Sequence, residues 1–324
     1  MQPRQVLVAA GLAAMHGMAR AASAGELLPK APIRIVVGFP PGGGTDVVTR
    51  VLAQQLGSRW GRTVVVENKT GAAGVIAAEY VAKQEADGTT LLMTNFSNHV
   101  VAPSLYPKIG YVVERDFTPI TLVGTTPCLL ICRKEQRAQT LEAIVRRCKE
   151  SPGSVSFGSA GAGSIQHLAL EMFQLHTGVK ALHIPYRGSA PMISDLIGGQ
   201  IDYSFETMAS ASPQVQSGAV VPIAQTSLRR AQAQPSVPTL AESGYPGFDA
   251  RVWYGIVGPG GMPDALVQAL SRDINDALAV PAVAEKLLSL GAEDGGGSPA
   301  QFASFIASEK AKWAQVIRDA NVTV

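Results

Sequence analysis

Hydrophobic residues along the chain form short runs rich in Val and Ile that alternate with longer stretches of helical spacing. Residues 33–37, 63–67 and 90–94 are such runs, each bounded by turn-forming or polar residues, which is typical of buried strands. Between them, residues 45–52 and 75–83 carry apolar side chains at helical spacing. The order strand, helix, strand, helix, strand predicts an α/β fold with a mainly parallel sheet, whose ligands bind outside the carboxyl ends of the strands.

The same alternation restarts in the second half of the chain. Two strands are predicted over residues 120–123 and 129–133, separated by a turn at 124–127. Further strands are predicted over 154–157, 183–186, 201–205 and 220–226, and helices over 140–148, 165–176 and 192–197.

A long apolar run at residues 248–257 is predicted to return the chain to its first half. Helices over 263–278 and 299–320 then close the chain, the second of them strongly amphipathic. The chain would therefore cross between halves near 123–128 and again near 248–256. Two such crossings form a hinge, which is the design of a clamshell that closes on a ligand.

Two glycine-rich loops each join a predicted strand to a predicted helix. The first covers residues 38–44, with Thr45 and Asp46 as N-cap candidates for the helix that follows; the second covers 158–164. The free N–H groups at a helix start favour an anion, and glycine lets that anion come close to the backbone. One loop from each half could offer its N–H groups to a single anion in a shared cleft. The alternative is a pair of tight turns without a ligand.

The first loop does not match the nucleotide-binding signatures. Gly44 stands where the phosphate-binding P-loop requires its lysine. Gly38, Gly42 and Gly44 also lack the spacing of the dinucleotide fingerprint. Among anions, phosphate is therefore disfavoured and a carboxylate remains.

Polar residues follow two other predicted strands and are candidates for selecting the ligand. Asn95, Ser97 and His99 follow one strand, and Glu206 and Thr207 follow another. His99 could hydrogen-bond a ligand or simply be solvated in its loop. At a cleft, Glu206 would favour a ligand with an amine or hydroxyl donor and repel a second carboxylate. Alternatively, it is a solvated glutamate at a strand end.

A serine and a histidine near the second glycine loop raise the alternative of a secreted serine hydrolase. Ser164 precedes the predicted helix over 165–176, and His167 lies in its first turn. However, the loop has no G-x-S-x-G elbow, and the sequence names no acid that would orient the histidine. Helix capping by Ser164 and packing by His167 are therefore favoured over catalysis.

The N-terminus and the composition place limits on the class of protein. Residues 1–24 resemble a secretory signal peptide, with Arg4, an apolar run and a small-residue end at 22–24. The remaining residues exceed one typical hydrophobic core, which predicts two lobes. Charged residues are 16% of the chain and the net charge is +2, so neither nucleic acid nor a membrane surface is an expected partner.

The three cysteines do not form a recognisable metal or disulfide pattern. Cys128 and Cys132 lie in one predicted strand, about 13 Å apart by the rise per residue, which is too far for a disulfide. No histidine lies near them in the sequence, so a zinc site is not expected. Buried thiols acting as small apolar residues are the simpler interpretation.

An ordered set of short motifs resembles one protein family. The motifs lie at 38–43 with Asp46, 64–68, 71–74, 87–92, 103–106, 116–120, 158–164 with His167, 185–188, 198–200, 237–239 and 246–248. Together they resemble the Bug family, the TctC-like extracytoplasmic receptors of tripartite tricarboxylate transporters. The resemblance covers the chain from about Pro32 to its end.

This resemblance implies a two-lobed type II periplasmic binding protein fold, a clamshell with a two-strand hinge. Residues 25–123 plus 252–324 would form lobe 1, and residues 124–251 would form lobe 2. It implies a non-enzymatic, monomeric periplasmic protein without metal or organic cofactor. The protein would capture a small carboxylate, an organic acid or acidic amino acid, and deliver it to membrane permease subunits. A ligand-sensing receptor partner with the same fold is an alternative that the sequence cannot separate from transport.

The resemblance also implies which residues hold the ligand. The carboxylate would contact the two glycine loops at Phe39, Gly43, Thr45, Asp46, Ser159, Ala160, Gly163, Ser164 and His167. Selection would come from Asn95, Ser97, His99, Arg187, Glu206 and Thr207. The chain departs from many relatives at Ala102, where Asn is common, and at Glu206, where Asp is common. These departures concern the identity of the ligand rather than its class.

Overall fold

The computed structural model describes residues 23–106, 108–136 and 139–322. The predicted signal peptide, residues 1–24, therefore lies almost wholly outside the described residues. Its last two residues are described: the Ser23 hydroxyl and the Ala24 N–H both donate to Asp273 Oδ2, each at 2.9 Å. None of the helices in the described ranges has the length and apolar character needed to cross a membrane.

Strands and helices alternate along most of the described chain. The strands are β1 (Ile33–Val37), β2 (Val64–Asn68), β3 (Thr90–Asn95), β4 (Phe117–Arg133), β5 (Ser156–Ser159), β6 (Leu182–Pro185), β7 (Tyr203–Thr207), β8 (Val220–Gln225) and β9 (Arg251–Pro259). The helices are α1 (Ala24–Leu27), α2 (Gly44–Trp60), α3 (Val75–Val81), α4 (Ala102–Leu105), α5 (Val113–Asp116), α6 (Leu141–Glu150), α7 (Ile165–Thr177), α8 (Ser189–Ile197), α9 (Met208–Gln216), α10 (Asp264–Leu278), α11 (Pro281–Ser289) and α12 (Pro299–Asp319). A π-helical segment, Ser97–Val101, runs directly into α4.

The sheet has two parallel parts joined by a long antiparallel pair. Its strand order is β2-β1-β3-β9-β4-β7-β5-β6, and β8 also pairs with β4. β1 is parallel to β2 and β3, and β5 is parallel to β6 and β7, whereas β9 is antiparallel to β3 and β4. This arrangement confirms the α/β class and the two-lobed architecture.

One strand, β4, connects the two parts of the sheet. It pairs with β9 from Phe117 to Pro127 and with β7 from Cys128 to Cys132. The prediction of two strands separated by a turn at 124–127 is therefore wrong. All three cysteines are buried free thiols, as expected for small apolar residues.

A close backbone approach explains why turn-forming residues occur inside β4. A Cβ on Gly124 would lie 3.2 Å from the Glu293 carbonyl oxygen, so any larger residue would push the returning segment outward by a few tenths of an ångström. Next to it, Thr125 and Glu293 exchange two backbone hydrogen bonds of 2.7 and 2.9 Å. The segment after α11 thus pairs with β4 on the edge opposite β9.

The hydrophobic pattern of the predicted elements corresponds to the core. Ile33, Ile35 and Val37 of β1 are fully buried, and Trp253 of β9 contacts Phe302 of α12 edge to face, with ring centroids 5.8 Å apart. The sequence does not predict α9 and α11, nor the four-residue helices α1, α4 and α5. The strand β9 begins at Arg251 rather than at residue 248. The helix α9 follows β7 directly and contributes to the site described next.

Candidate functional site

A small cavity lies between the two glycine loops. Its volume is about 30 Å³, close to the volume of one water molecule in the liquid. The residues that line it are Phe39, Pro40, Gly43, Gly44, Thr45, Asn95, Ser97, Ala160, Ser164, Ile165, Gln166, Ser189, Thr207, Val252 and Tyr254. The cavity therefore collects residues from the carboxyl ends of strands in both parts of the sheet.

Helix N-termini converge on this cavity. α2 begins at Gly44, α7 at Ile165 and α8 at Ser189, and Thr207 is the residue before α9. The first N–H groups of a helix have no acceptor within the helix and carry the positive end of its dipole. None of the described lining residues carries a charged side chain. The cavity therefore presents positive potential through backbone dipoles alone, which suits an anion.

The first glycine loop is shaped by Gly42 and Asp46. Gly42 has φ +82°, which glycine adopts without strain, and its N–H donates to Asp46 Oδ2 at 2.9 Å. Gly43, not Thr45 or Asp46, is the N-cap residue of α2, so that local prediction is wrong. Asp46 also accepts hydrogen bonds from Arg50 and from the Asn68 amide, and it does not line the cavity.

These hydrogen bonds keep Asp46 ionised. Burial alone would raise its pKa, but the hydrogen bonds from Arg50, the Gly42 N–H and Asn68 outweigh burial and lower that pKa below its ordinary value. The same Asn68 amide donates to the Phe39 carbonyl at 2.9 Å. Asp46 and Asn68 thus hold the first glycine loop against β2 and α2.

Thr45 and Asn95 meet inside the cavity wall. The Asn95 amide donates to Thr45 Oγ1 at 3.1 Å, and Asn95 Oδ1 accepts from the Ser97 N–H at 3.0 Å. Asn95, two residues from the start of the π-helical segment, therefore fixes the first turn of that segment against α2. Three predicted site residues are brought together here.

The second glycine loop ends in a capped helix. Ser164 is the N-cap of α7, and its Oγ accepts from the His167 N–H at 3.4 Å. His167 Nδ1 in turn accepts from the Gly163 N–H at 3.1 Å, and its Nε2 lies 3.4 Å from Glu171 Oε1. Both nitrogens of His167 thus face partners other than the Ser164 hydroxyl, so the pair serves as a cap rather than as a nucleophile and its base.

A histidine that the sequence analysis did not select also supports this loop. His183 Nε2 lies 2.7 Å from Ser159 Oγ, and its ring stacks on His167 with centroids 4.0 Å apart. The pKa of His183 is lowered to about 3, mainly by burial and to a lesser extent by the neighbouring His167. Since Ser159 Oγ also accepts from the Gly161 N–H at 3.2 Å, His183 and His167 hold both ends of the loop. Ser159, Gly163 and His167 therefore lie behind the cavity rather than in its lining.

Glu206 is buried directly behind the lining, not solvated. Its side chain has no exposed surface, and its Oε1 accepts from the Gln166 amide at 3.1 Å and from the Thr207 N–H at 2.7 Å and hydroxyl at 3.0 Å. Oε2 has no hydrogen-bond partner among the described residues. Burial raises the pKa of Glu206 to about 7, although the neighbouring Ser189 hydroxyl and the hydrogen bonds from Thr207 and Gln166 oppose that rise.

Two further predicted residues lie away from the cavity. His99 is fully buried, packs against Phe117 in a tilted arrangement with ring centroids 4.6 Å apart, and has no partner for either ring nitrogen among the described residues. It is therefore neither solvated nor part of the lining. Arg187 is exposed and lines a separate 430 Å³ cavity that shares Phe39, Pro40 and Ala160 with the first one.

Several lining residues were missed by the sequence analysis. They are Pro40, Gly44, Ile165, Gln166, Ser189, Val252 and Tyr254. Gly44, Ile165, Gln166 and Ser189 are the first residues of helices, so their inclusion follows from the helix N-termini themselves. Tyr254 lies in the predicted long strand, and only its pairing opposite Asn95 in β3 places it at the cavity.

No group of three or more His, Cys, Asp or Glu residues in the described part of the chain is arranged to hold a metal ion. The chemistry of the cavity is that of backbone N–H groups, hydroxyls and side-chain amides. Such groups bind and orient an anion and offer no activated nucleophile.

The sequence matches the family model described as "Tripartite tricarboxylate transporter family receptor" (TctC) over residues 48–322. BugT of Bordetella pertussis is 40% identical over 307 residues, which cover 94% of each protein.

Solved structures agree with this match. Rpa4515 of R. palustris, solved with adipate, superposes with a TM-score of 0.88 at 32% identity, covering 91% of this chain and 99% of that one. MatC from Rhodopseudomonas palustris, with bound malate, superposes with a TM-score of 0.83 at 29% identity, covering 90% and 100%. These relatives are solute-binding proteins rather than enzymes. The chain belongs to the TctC family of tripartite tricarboxylate transporter receptors.

Proposed function

We propose that this protein is a periplasmic receptor that captures a small carboxylate between its two lobes and delivers it to the permease of a tripartite tricarboxylate transporter. The observation that carries the proposal is the convergence of helix N-termini on one cavity without a charged side chain in its described lining. A carboxylate there receives charge-assisted hydrogen bonds from preorganised N–H groups. The adipate and malate present in two similar solved structures support the same ligand class.

The proposed lobes follow the two parts of the sheet. Lobe 1 would comprise residues 25–123 plus 252–324, and lobe 2 residues 124–251, with β4 and β9 as the hinge strands. The cavity of about 30 Å³ holds no more than a water molecule or two, so entry of an organic acid requires the lobes to separate and close again. Residues 1–24 would direct export to the periplasm, and the protein would act as a monomer.

The ligand contacts follow from the lining. The carboxylate would be held at the start of α2 by Gly43 and Thr45, and at the start of α7 by Ser164. Ala160, in the second glycine loop, would lie beside it. Phe39, Asn95, Ser97 and Thr207 would enclose the rest of the molecule, and Arg187 at the adjoining cavity would meet the far end of a longer acid.

Thermal denaturation against a panel of mono-, di- and tricarboxylates, amino acids and matched neutral amides tests the proposal. A ligand at 100 times its dissociation constant adds about 2.7 kcal/mol to the free energy of unfolding. We expect at least one acid to raise the melting temperature while its amide does not. Stabilisation by neutral or cationic compounds only would contradict the carboxylate assignment.

A further inference from the structure

Glu206 has one carboxylate oxygen that is fully buried and unpartnered beside the candidate site. Its other oxygen accepts three hydrogen bonds, from the Gln166 amide and from the N–H and hydroxyl of Thr207. Gln166 and Thr207 both line the cavity, so only these two side chains separate Glu206 from it. A bare, buried anionic oxygen is costly, and protonation removes that cost.

The groups that face Glu206 do not supply a positive charge. Among the described residues, the titratable groups that interact electrostatically with Glu206 are Cys128 of β4 and Tyr254 of β9. The helices α7 and α8 contribute the neutral side chains of Gln166 and Ser189. Burial raises the pKa of both the thiol and the phenol, so both stay neutral. The Tyr254 hydroxyl is buried and has no partner among the described residues either. Within this cluster, Glu206 alone changes charge near neutral pH.

A bound carboxylate would act against an ionised Glu206. The two negative charges would lie in the same buried region, where water screens them little. The protonated acid carries no charge at Oε2 and offers Oε2–H as a donor at an oxygen that otherwise has no partner among the described residues.

We propose that the receptor binds its carboxylate together with one proton, which Glu206 retains or takes up as the lobes close over the ligand. This inference rests on the proposed function. The ligand is then recognised as an anion. Because Glu206 carries a proton, the complex of site and ligand holds one negative charge less than it would with an ionised Glu206. Glu206 positions the lining residues Gln166 and Thr207 in its protonated form.

The sign of the pH dependence follows from the direction of proton uptake. Burial raises the pKa of Glu206 to about 7 in this closed structure, and a nearby ligand carboxylate raises it further. The bound state therefore binds more protons than the free state, and affinity falls as the pH rises through and above 7. The limiting slope is about tenfold in dissociation constant per pH unit.

Isothermal titration calorimetry of the whole protein, with malate and adipate as probes between pH 6.5 and 8.5, tests the inference. In buffers of different ionisation enthalpy, we expect proton uptake that increases towards one per ligand above pH 7. The Glu206→Gln variant keeps the acceptor oxygen and mimics the protonated acid, so its dissociation constant should change less than about twofold over this range. Glu135→Gln, at an exposed position outside the site, should keep the pH dependence of the original protein.

Two results would overturn the inference. One is binding with a pH-independent dissociation constant and without proton uptake, which leaves the carboxylate receptor intact. The other is binding that tightens as the pH rises and is lost in Glu206→Gln, since that would mean that Glu206 accepts a donor of the ligand as an anion. Absence of binding by any acid at any pH would instead overturn the proposed function, and the inference with it.

Discussion

His99 is a buried imidazole whose two nitrogens have no hydrogen-bond partner among the described residues. Burial lowers its pKa to about 3, and the distant charge of Glu114 only partly offsets that effect. The unfolded chain binds a proton at this histidine below about pH 6.5, whereas the folded protein does not. His99 therefore makes the protein less stable as the pH falls from about 6.5 towards 3, by up to about 1.4 kcal/mol per pH unit.

We expect His99→Leu to stabilise the protein at acidic pH. Leucine is of similar size and leaves no buried nitrogen without a partner, so the substitution should be neutral or stabilising at pH 8 and add about 2 kcal/mol at pH 5. Chemical denaturation at the two pH values measures this difference. His176→Leu, at an exposed position of α7, is the matched control. Equal acid sensitivity of His99→Leu and the original protein would show that another group titrates.

At the scale of residues, the sequence shows which side chains have suitable chemistry for a ligand, but not which of them are buried. Ser164 and Thr45 were selected for their hydroxyls, and both line the cavity. The sequence allows Glu206 and His99 to be either ligand contacts or solvated residues. In the structure, however, both are fully buried behind other side chains. The sequence does not show this, because a polar residue after a strand has the same local pattern whether water or another element covers it.

Among the elements, the first glycine loop and α2 depend on one carboxylate. Asp46 joins the Gly42 N–H, the Asn68 amide and the Arg50 guanidinium. Its lowered pKa means that this stabilisation is fully present above the unfolded-state pKa of about 3.8 and is lost as the pH falls through the folded-state value. Between pH 5 and 8 its contribution to stability is therefore constant.

Asp46→Asn should lower the free energy of unfolding by about 1–3 kcal/mol at pH 7 and weaken carboxylate binding, because the loop loses its charged anchor. The stability difference between the two proteins should decline as the pH falls below about 3.8 and vanish below the lower folded-state pKa, where Asp46 is protonated in both states. Urea denaturation across this pH range measures it. Glu135→Gln, an exposed acid paired with Lys134 at 4.0 Å, should change nothing measurable. A loss of affinity at unchanged stability would instead make Asp46 a direct ligand contact.

The elements of the first half could be predicted well, since β1, α2, β2, α3 and β3 follow hydrophobic periodicity. β4 could not, because Gly124 and Pro127 have the local preference of a turn, and only pairing with β9 and with the Glu293 segment keeps the strand extended. α9 was missed because its sequence contains Pro213 and has little apolar periodicity. In both cases tertiary contacts outweigh local propensity.

For the whole molecule, two glycines in the same loop differ in what lies across the cleft. A Cβ on Gly44 would lie 2.6 Å from Thr207 Oγ1 and 2.7 Å from Tyr254 Oη. A Cβ on Gly43 would meet only the Pro40 carbonyl oxygen, at 3.4 Å. The clamshell could be predicted from the two hinge crossings, but this contact could not, because it joins residues that are far apart in the sequence.

Gly44→Ala should therefore prevent full closure of the two lobes. Gly44 is the first residue of α2 and has no positive φ, so alanine suits its backbone and the free energy of unfolding without ligand should stay equal or rise slightly. In the closed form the added methyl group crowds the Thr207 side chain of lobe 2, so we expect at least about tenfold weaker binding, which corresponds to a cost of about 1.4 kcal/mol in closure. Its contact with the Tyr254 hydroxyl lies within lobe 1 and so does not distinguish the open from the closed form.

Small-angle scattering with and without ligand separates closure from folding. The original protein should contract when a carboxylate binds, whereas Gly44→Ala should show the same radius of gyration in both conditions. Gly43→Ala, one residue earlier, should contract and lose much less affinity, since its methyl group meets no residue of the other lobe. If Gly44→Ala binds as tightly as the original protein and still contracts, the ligand-bound state is more open than this structure, and the close contact between α2 and Thr207 belongs to a state without ligand.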